Sequence, residues 1–195
     1  MTAISPLQSI HKKGLFGSHH KKNENDLINI MELKNLTIVQ IVQHKNSEIK
    51  LNSIEIDNLE LPLHSSKVLS NENTRIMWNA PKTWLVISSR EDVIKNINQK
   101  CDSKNFAITD ISHSRAAIQI KGPKTKEVLK KGCPINFNEF KKNNCAGSVF
   151  HGINIVVDCV EDNPQIYNVL TLRSFGESLY YHIADASLEF GYIGV

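Results

Sequence analysis

Three segments of this chain alternate apolar, mostly β-branched residues with others along the backbone. They are Leu36-Thr-Ile-Val-Gln-Ile-Val-Gln43, Arg115-Ala-Ala-Ile-Gln-Ile-Lys121 and Ile153 to Val160, where Ile153, Ile155, Val157 and Cys159 share one face. A strand of this period has one apolar face, and that face must be covered by a helix or by a second sheet. Shorter strands are expected at Arg75–Trp78, Thr83–Ser88, Phe106–Asp110 and Gln165–Leu172. Asn79-Ala80-Pro81-Lys82 makes a turn between two of them. His151-Gly152 joins Ala146–Phe150 to the following strand, and Glu161-Asp-Asn-Pro164 leads into the last one. Ile49 to Leu59 fits a short helix or a second strand equally well. Leu61-Pro62-Leu63-His64 reads as a non-helical connection, because proline restrains the residue before it.

Helical spacing covers these strands. Val93, Ile94, Ile97 and Cys101 fall on one helical face, with Ser89 expected as N-cap and Asp92 in the capping-box position. Gly122-Pro123 opens a short helix carrying Val128 and Leu129, and Gly132 stops it. Phe175, Leu179, Ile183, Ala186 and Phe190 repeat at three- and four-residue steps, with Ser174 as the expected N-cap, Glu177 as its capping-box partner and Gly191 as the terminator. The order of elements predicts an α+β fold of two βαββα-type units, with antiparallel sheets and helices on one face. Residues 1–25 are expected to form a flexible basic arm. Residues 26–195 are expected to form a single α+β domain of two similar halves, about 26–110 and 111–195.

Several function classes are disfavoured on chemistry. The chain has 195 residues, 41% hydrophobic and 22% charged, enough to bury a core without staples. Much of the basic excess behind its net charge of +3, which counts histidine as neutral, sits early, in the run of His11, Lys12, Lys13, His19, His20, Lys21 and Lys22. Elsewhere the signs are mixed, which argues against a nucleic-acid surface. Within the arm, Leu15-Phe16 suits docking onto another chain, or a free tail. Cys101, Cys133, Cys145 and Cys159 form no C-x-x-C pair and have no histidine at zinc spacing, so reduced thiols in a cytoplasmic protein are expected, with no metal. Met1 to Ile10 lacks the sustained apolar core of a signal peptide, and no apolar run reaches transmembrane length. Glycine-rich nucleotide loops are missing from the sequence, and so is a G-x-S-x-G elbow. Asp110, Ser112 and His113 stand too close in sequence to converge as a triad. His113 and Arg115 could hold a carboxylate, but a role in hydrogen-bonding the backbone or a partner chain is favoured. Trp78 and Trp84 are expected in the core or an interface.

The stretch Thr109-Asp110-Ile-Ser112-His113-Ser114-Arg115-Ala116-Ala-Ile-Gln-Ile-Lys-Gly122-Pro123, followed by Val128 to Ile135 with Lys131-Gly132-Cys133-Pro134, resembles the gamma subunit of heterotetrameric sarcosine oxidase. Trp78-x-x-Pro81-x-x-Trp84-Leu85 resembles that family's hairpin, with Ala80 where glycine is usual. Arg173-Ser174-Phe175 to Gly191 resembles its terminal helix. The fold implied is that of the folate-binding domain of the glycine-cleavage T-protein and TrmE. The resemblance implies a non-catalytic subunit that packs against alpha, beta and delta chains. FAD, FMN, NAD, zinc and tetrahydrofolate would be held by those other subunits, and none chiefly by this chain. Leu15, Phe16, His113, Arg115, Arg173 and Phe175 are the candidate interface residues, and no catalytic, cofactor or metal residue is expected. The alternative is a free-standing folate-binding protein of the T-protein fold. Lys131-Gly132-Cys133 resembles the K-G-C of folate-binding proteins linked to iron–sulfur cluster repair. The residues that follow, Pro134-Ile135-Asn136, depart from that pattern and favour a buried structural cysteine.

Overall fold

The computed structural model describes residues 4–195; Met1–Ala3, which open the expected arm, lie outside the described residues. The strands are β1 (Gly14–Phe16), β2 (Ile28–Glu32), β3 (Thr37–Gln43), β4 (Glu55–Ile56), β5 (Leu59–Glu60), β6 (Val68–Ser70), β7 (Thr74–Ala80), β8 (Thr83–Ser88), β9 (Phe106–Asp110), β10 (Arg115–Lys121), β11 (Cys145–Phe150), β12 (Ile153–Asp162), β13 (Gln165–Leu172) and β14 (Tyr192–Gly194). The α-helices are α1 (Val93–Lys100), α2 (Thr125–Lys130) and α3 (Gly176–Ser187). Two compact units result. One joins the segment up to Lys34 with His113–Val195, and the other is Asn35–Ser112. The expected halves therefore need correction: residues before Lys34 belong with the C-terminal half, because β2 pairs with both β10 and β14.

The first unit holds a seven-stranded sheet in the order β1-β14-β2-β10-β13-β12-β11. Ile28, Ile30, Ile118, Ile120, Val157, Cys159, Tyr167 and Val169 from the sheet share one cluster with Val128 and Leu129 of α2 and Leu179, Ile183 and Ala186 of α3. The sheet is mixed rather than wholly antiparallel, since β14 runs parallel to β2 with Tyr192 opposite Ile28. Gly191, at φ 74°, turns the chain from α3 into β14, and a Cβ there would meet Ser18 O at 2.6 Å.

The second unit holds a five-stranded antiparallel sheet, β6-β7-β8-β3-β9, and the small β4-β5 pair. Val39, Ile41, Ile76, Trp84, Val86 and Phe106 bury one face under Val93, Ile97 and Cys101 at α1. Trp84 is 1% exposed, and its indole N–H donates to Pro62 O at 2.8 Å. The ambiguous Ile49–Leu59 stretch becomes a 3-10 turn at Leu51–Ser53, then β4 and the start of β5.

Three other expectations need revision. The 4–25 segment is not a free arm. Leu7 is 0% exposed inside the first core, β1 pairs with β14, and Phe16 stacks on Tyr192 at 5.0 Å between centroids. Its cations misled the reading, because they flank the apolar anchors instead of diluting them. Ser89 does not cap α1; its backbone N–H bonds Asn73 O, and Asp92 occupies the N-cap position. Ser174 does not cap α3, which begins two residues later, and Glu177 accepts a hydrogen bond from the Ser9 hydroxyl rather than closing a capping box. At both helices, partners distant in sequence took over the polar groups that a local cap would have used.

Replacing Leu7 by alanine should destabilise the protein by about 2–5 kcal/mol, as for a fully buried leucine. Lys21→Ala, at an exposed site, should stay within about 0.5 kcal/mol. Urea unfolding of the two variants checks this, and equal small effects would mean the N-terminal segment is not part of the core.

Candidate interface site

Strands β10 and β13 pair antiparallel with Arg115 opposite Leu172. That register brings the turn entering β10 beside the turn leaving β13, so residues far apart in sequence meet at one end of the sheet. An open cleft there is lined by Ser5, Pro6, His113, Ser114, Leu172, Arg173, Ser174 and Glu177. Leu172 and Phe175 stand at this end of the sheet, 44% and 46% exposed. The 3-10 turn Arg173–Phe175 carries Phe175 outward before Gly176 starts α3. Gly176 is required for close packing, since a Cβ there would lie 2.9 Å from the Ala116 Cβ and 3.5 Å from both Pro6 and Leu7.

The polar groups of the cleft are tied to the N-terminal segment. Arg173 donates to Ile4 O, Ser9 donates to Glu177, and Ser5 donates to the buried Glu32 carboxylate at 2.5 Å. Arg115 lies half-buried, and its guanidinium reaches Ser114 O at 3.3 Å and Ser114 Oγ at 3.2 Å. Burial lowers its pKa from the ordinary value. His113 is exposed. Four of the six candidate residues, His113, Arg115, Arg173 and Phe175, thus gather at one end of the sheet. Leu15 and Phe16 do not join them: they lie on β1, separated from β10 by β14 and β2. Leu15 is 50% exposed, whereas Phe16 packs inward. Sequence reading missed Leu172, whose exposure at the end of a buried strand was foreshadowed by its place directly before Arg173. It also missed Ser5, Pro6 and Glu177, for which no local signal exists.

In the second unit, Asp110 accepts from the Ser112 N–H at 2.9 Å and from the Ser112 hydroxyl at 2.5 Å, while Ser112 Oγ accepts from Ile38 N–H at 2.9 Å. Ser112 is therefore committed to bracing its own strand junction. All four cysteines are buried thiols. Burial pushes the Cys101 thiol up to about 11 and also raises that of Cys159. Cys133 lies 3.4 Å from the Ser148 hydroxyl. Lys131, its cationic neighbour in sequence, points elsewhere: to Ala186 O at 2.6 Å, to Glu189 at 3.2 Å and over the Phe190 ring. Among the described residues, no group of three or more His, Cys, Asp and Glu side chains is placed to hold a metal ion. Nor is any helix among them long and apolar enough to cross a membrane.

Residues 52–189 match the sarcosine oxidase, gamma subunit family. The chain belongs to that family. A curated relative, sarcosine oxidase subunit gamma of Corynebacterium sp. (strain U-96), is 26% identical over 120 residues, which is 60% of this chain and 58% of the relative. A chain in the structure of heterotetrameric sarcosine oxidase from Corynebacterium sp. U-96, in complex with pyrrole 2-carboxylate, superposes with a TM-score of 0.79 at 18% identity. That alignment covers 96% of this chain and 95% of the other. Glycine cleavage system aminomethyltransferase T from Bartonella henselae superposes with a TM-score of 0.60 at 10% identity, over 82% of this chain and 46% of that protein. At these identities both structures show a shared α+β fold. The second covers the fold without the remaining length of that enzyme.

The raised Cys101 thiol carries a pH signature. The folded state holds this proton more tightly than the unfolded chain, so the associated stability is complete below pH 9 and is lost as pH rises towards about 11. Urea unfolding should show stability falling across that window, by about 2–3 kcal/mol. Cys101→Ala should make the fall shallower, leaving the part due to Cys159, and an unchanged slope would show that Cys101 does not contribute.

Proposed function

We propose that this chain is the gamma subunit of a heterotetrameric sarcosine oxidase, a packing subunit without reacting groups of its own. The complex would oxidatively demethylate sarcosine to glycine, forming hydrogen peroxide and passing the one-carbon unit to tetrahydrofolate. Alpha, beta and delta chains would be the partners, and would carry the FAD, FMN, NAD, zinc and tetrahydrofolate sites. The cytoplasm is the proposed compartment. The observation that carries this reading is the family match over residues 52–189. The exposed pair Leu172 and Phe175 beside the polar His113, Arg173 and Glu177 supports it, because apolar anchors with a polar rim suit a protein contact better than a reaction. The T-protein-like α+β architecture then serves as a scaffold whose surface is used for packing.

Co-expression of the tagged chain with the alpha, beta and delta chains from the same genome tests the proposal. All should co-purify, and the Leu172→Asp/Phe175→Asp double variant should reduce recovery by about tenfold or more, the loss expected of central apolar anchors. Wild-type chain that purifies alone and never joins them would refute the assignment. Calorimetry of the isolated chain with tetrahydrofolate should show no heat of binding. A saturable heat would instead favour the free-standing folate-binding protein.

A further inference from the structure

The seven-stranded sheet ends at β1 on one side and at β11 on the other. β1 is three residues long and follows Lys12 and Lys13. β11 is six residues long and reads Cys-Ala-Gly-Ser-Val-Phe, with no charge and no proline. Stable proteins commonly guard such an edge with lysine, proline or a bulge, because unpaired backbone groups invite another strand. Along Cys145–Phe150 the pairing to β12 runs without a register shift.

The hairpin geometry shows which groups face outward. His151 and Gly152 have φ 47° and 83°, the left-handed pair of a two-residue turn, and they close on Phe150 opposite Ile153. A closing pair of this kind exchanges both backbone hydrogen bonds. The alternation then turns Ala146, Ser148 and Phe150 towards β12, and points the N–H and C=O of Gly147 and Val149 away from the sheet. Gly147 is exposed, with open space around the position of a Cβ; Ala146, Ser148 and Val149 are half-buried. The outer edge is reachable.

We propose that β11 receives an extended, acid-flanked segment of a partner chain, which adds an eighth strand to this sheet through the backbone of Gly147 and Val149. The inference rests on the subunit assignment above and adds the surface and the mode of contact. Charge favours a different chain over a second copy. The strand is entered through Lys141 and Lys142 and left at His151, whose ring stacks on His182 at 4.9 Å. Lys142 is matched by Glu161 at 2.7 Å, whereas Lys141 enters no ion pair among the described residues. Cys145–Phe150 contains no acidic residue, so a second copy paired through β11 would bring no carboxylate of that strand to Lys141. An uncharged strand with a flanking Asp or Glu is complementary to the same edge.

The test uses the co-expressed complex, the isolated chain and two variants. Val149→Pro removes an outward N–H and leaves the ladder to β12 intact. Gly147→Lys places a charge on the edge where a side chain has room. Both isolated variants should melt within a few degrees of wild type. In the complex, the Gly147 and Val149 amides of the wild-type chain should exchange at least about tenfold more slowly than in the chain alone, and both variants should lower co-purification by about tenfold. If the wild-type complex forms with those amides unprotected and both variants join it undiminished, the strand proposal is overturned and the subunit assignment stands. If the wild-type chain joins no partner, both fall. Should Val149→Pro fail to fold, Gly147→Lys and the exchange of the wild-type complex decide. Self-association of the isolated chain with protection at the same amides would show a second copy as occupant and overturn the proposal.

Discussion

Seven consecutive residue pairs join β10 to β13, from Arg115 opposite Leu172 to Lys121 opposite Ile166. Because side chains alternate across a sheet, this one register decides much else. It puts Ile118, Ile120, Tyr167 and Val169 together under α2 and α3. The same register brings the turn that carries His113 beside the turn that carries Arg173. A slip of one residue would expose the core set and separate the two turns. The candidate interface thus follows from core pairing, and hydrogen bonds to the N-terminal segment then hold its side chains.

The strands that could be read from sequence were those with strong alternation and β-branched content. Thr37–Gln43, Thr83–Ser88, Arg115–Lys121 and Gln165–Leu172 appear almost where Ile, Val and Thr spacing placed them. The periodic face of α3 was equally legible, with Leu179, Ile183 and Ala186 buried as expected. Its cap was not, because Ser174 and Glu177 satisfy a local motif on paper while Ser9 takes the carboxylate in space. Short strands such as β1, β6 and β14 carry too few residues for periodicity to show. Their pairing depends on neighbours that sequence order does not reveal.

The candidate site was legible in part for a related reason. His113, Arg115, Arg173 and Phe175 stood out through motifs at two separate strand ends, and the β10–β13 register unites them. Leu15 and Phe16 were grouped with them only because an apolar pair among cations looked adhesive. The structure spends Phe16 on Tyr192 and leaves Leu15 on a different edge. Ser5 and Pro6 enter through long-range contacts, which local composition cannot encode.

The closing of the sheet also sets a timetable. β1 is completed by β14, with Gly14 opposite Gly194 and Phe16 opposite Tyr192. β14 in turn takes its place only alongside Ile28–Ile30. These contacts join residues as distant in sequence as Gly14 and Gly194, a demanding kind of closure for a folding chain. During synthesis Gly14–Phe16 therefore has no strand partner until Tyr192–Gly194 has emerged. The Asn35–Ser112 unit, whose strands pair among themselves, has no such wait. A nascent chain would present that finished unit well before Gly14–Phe16 has a strand to pair with.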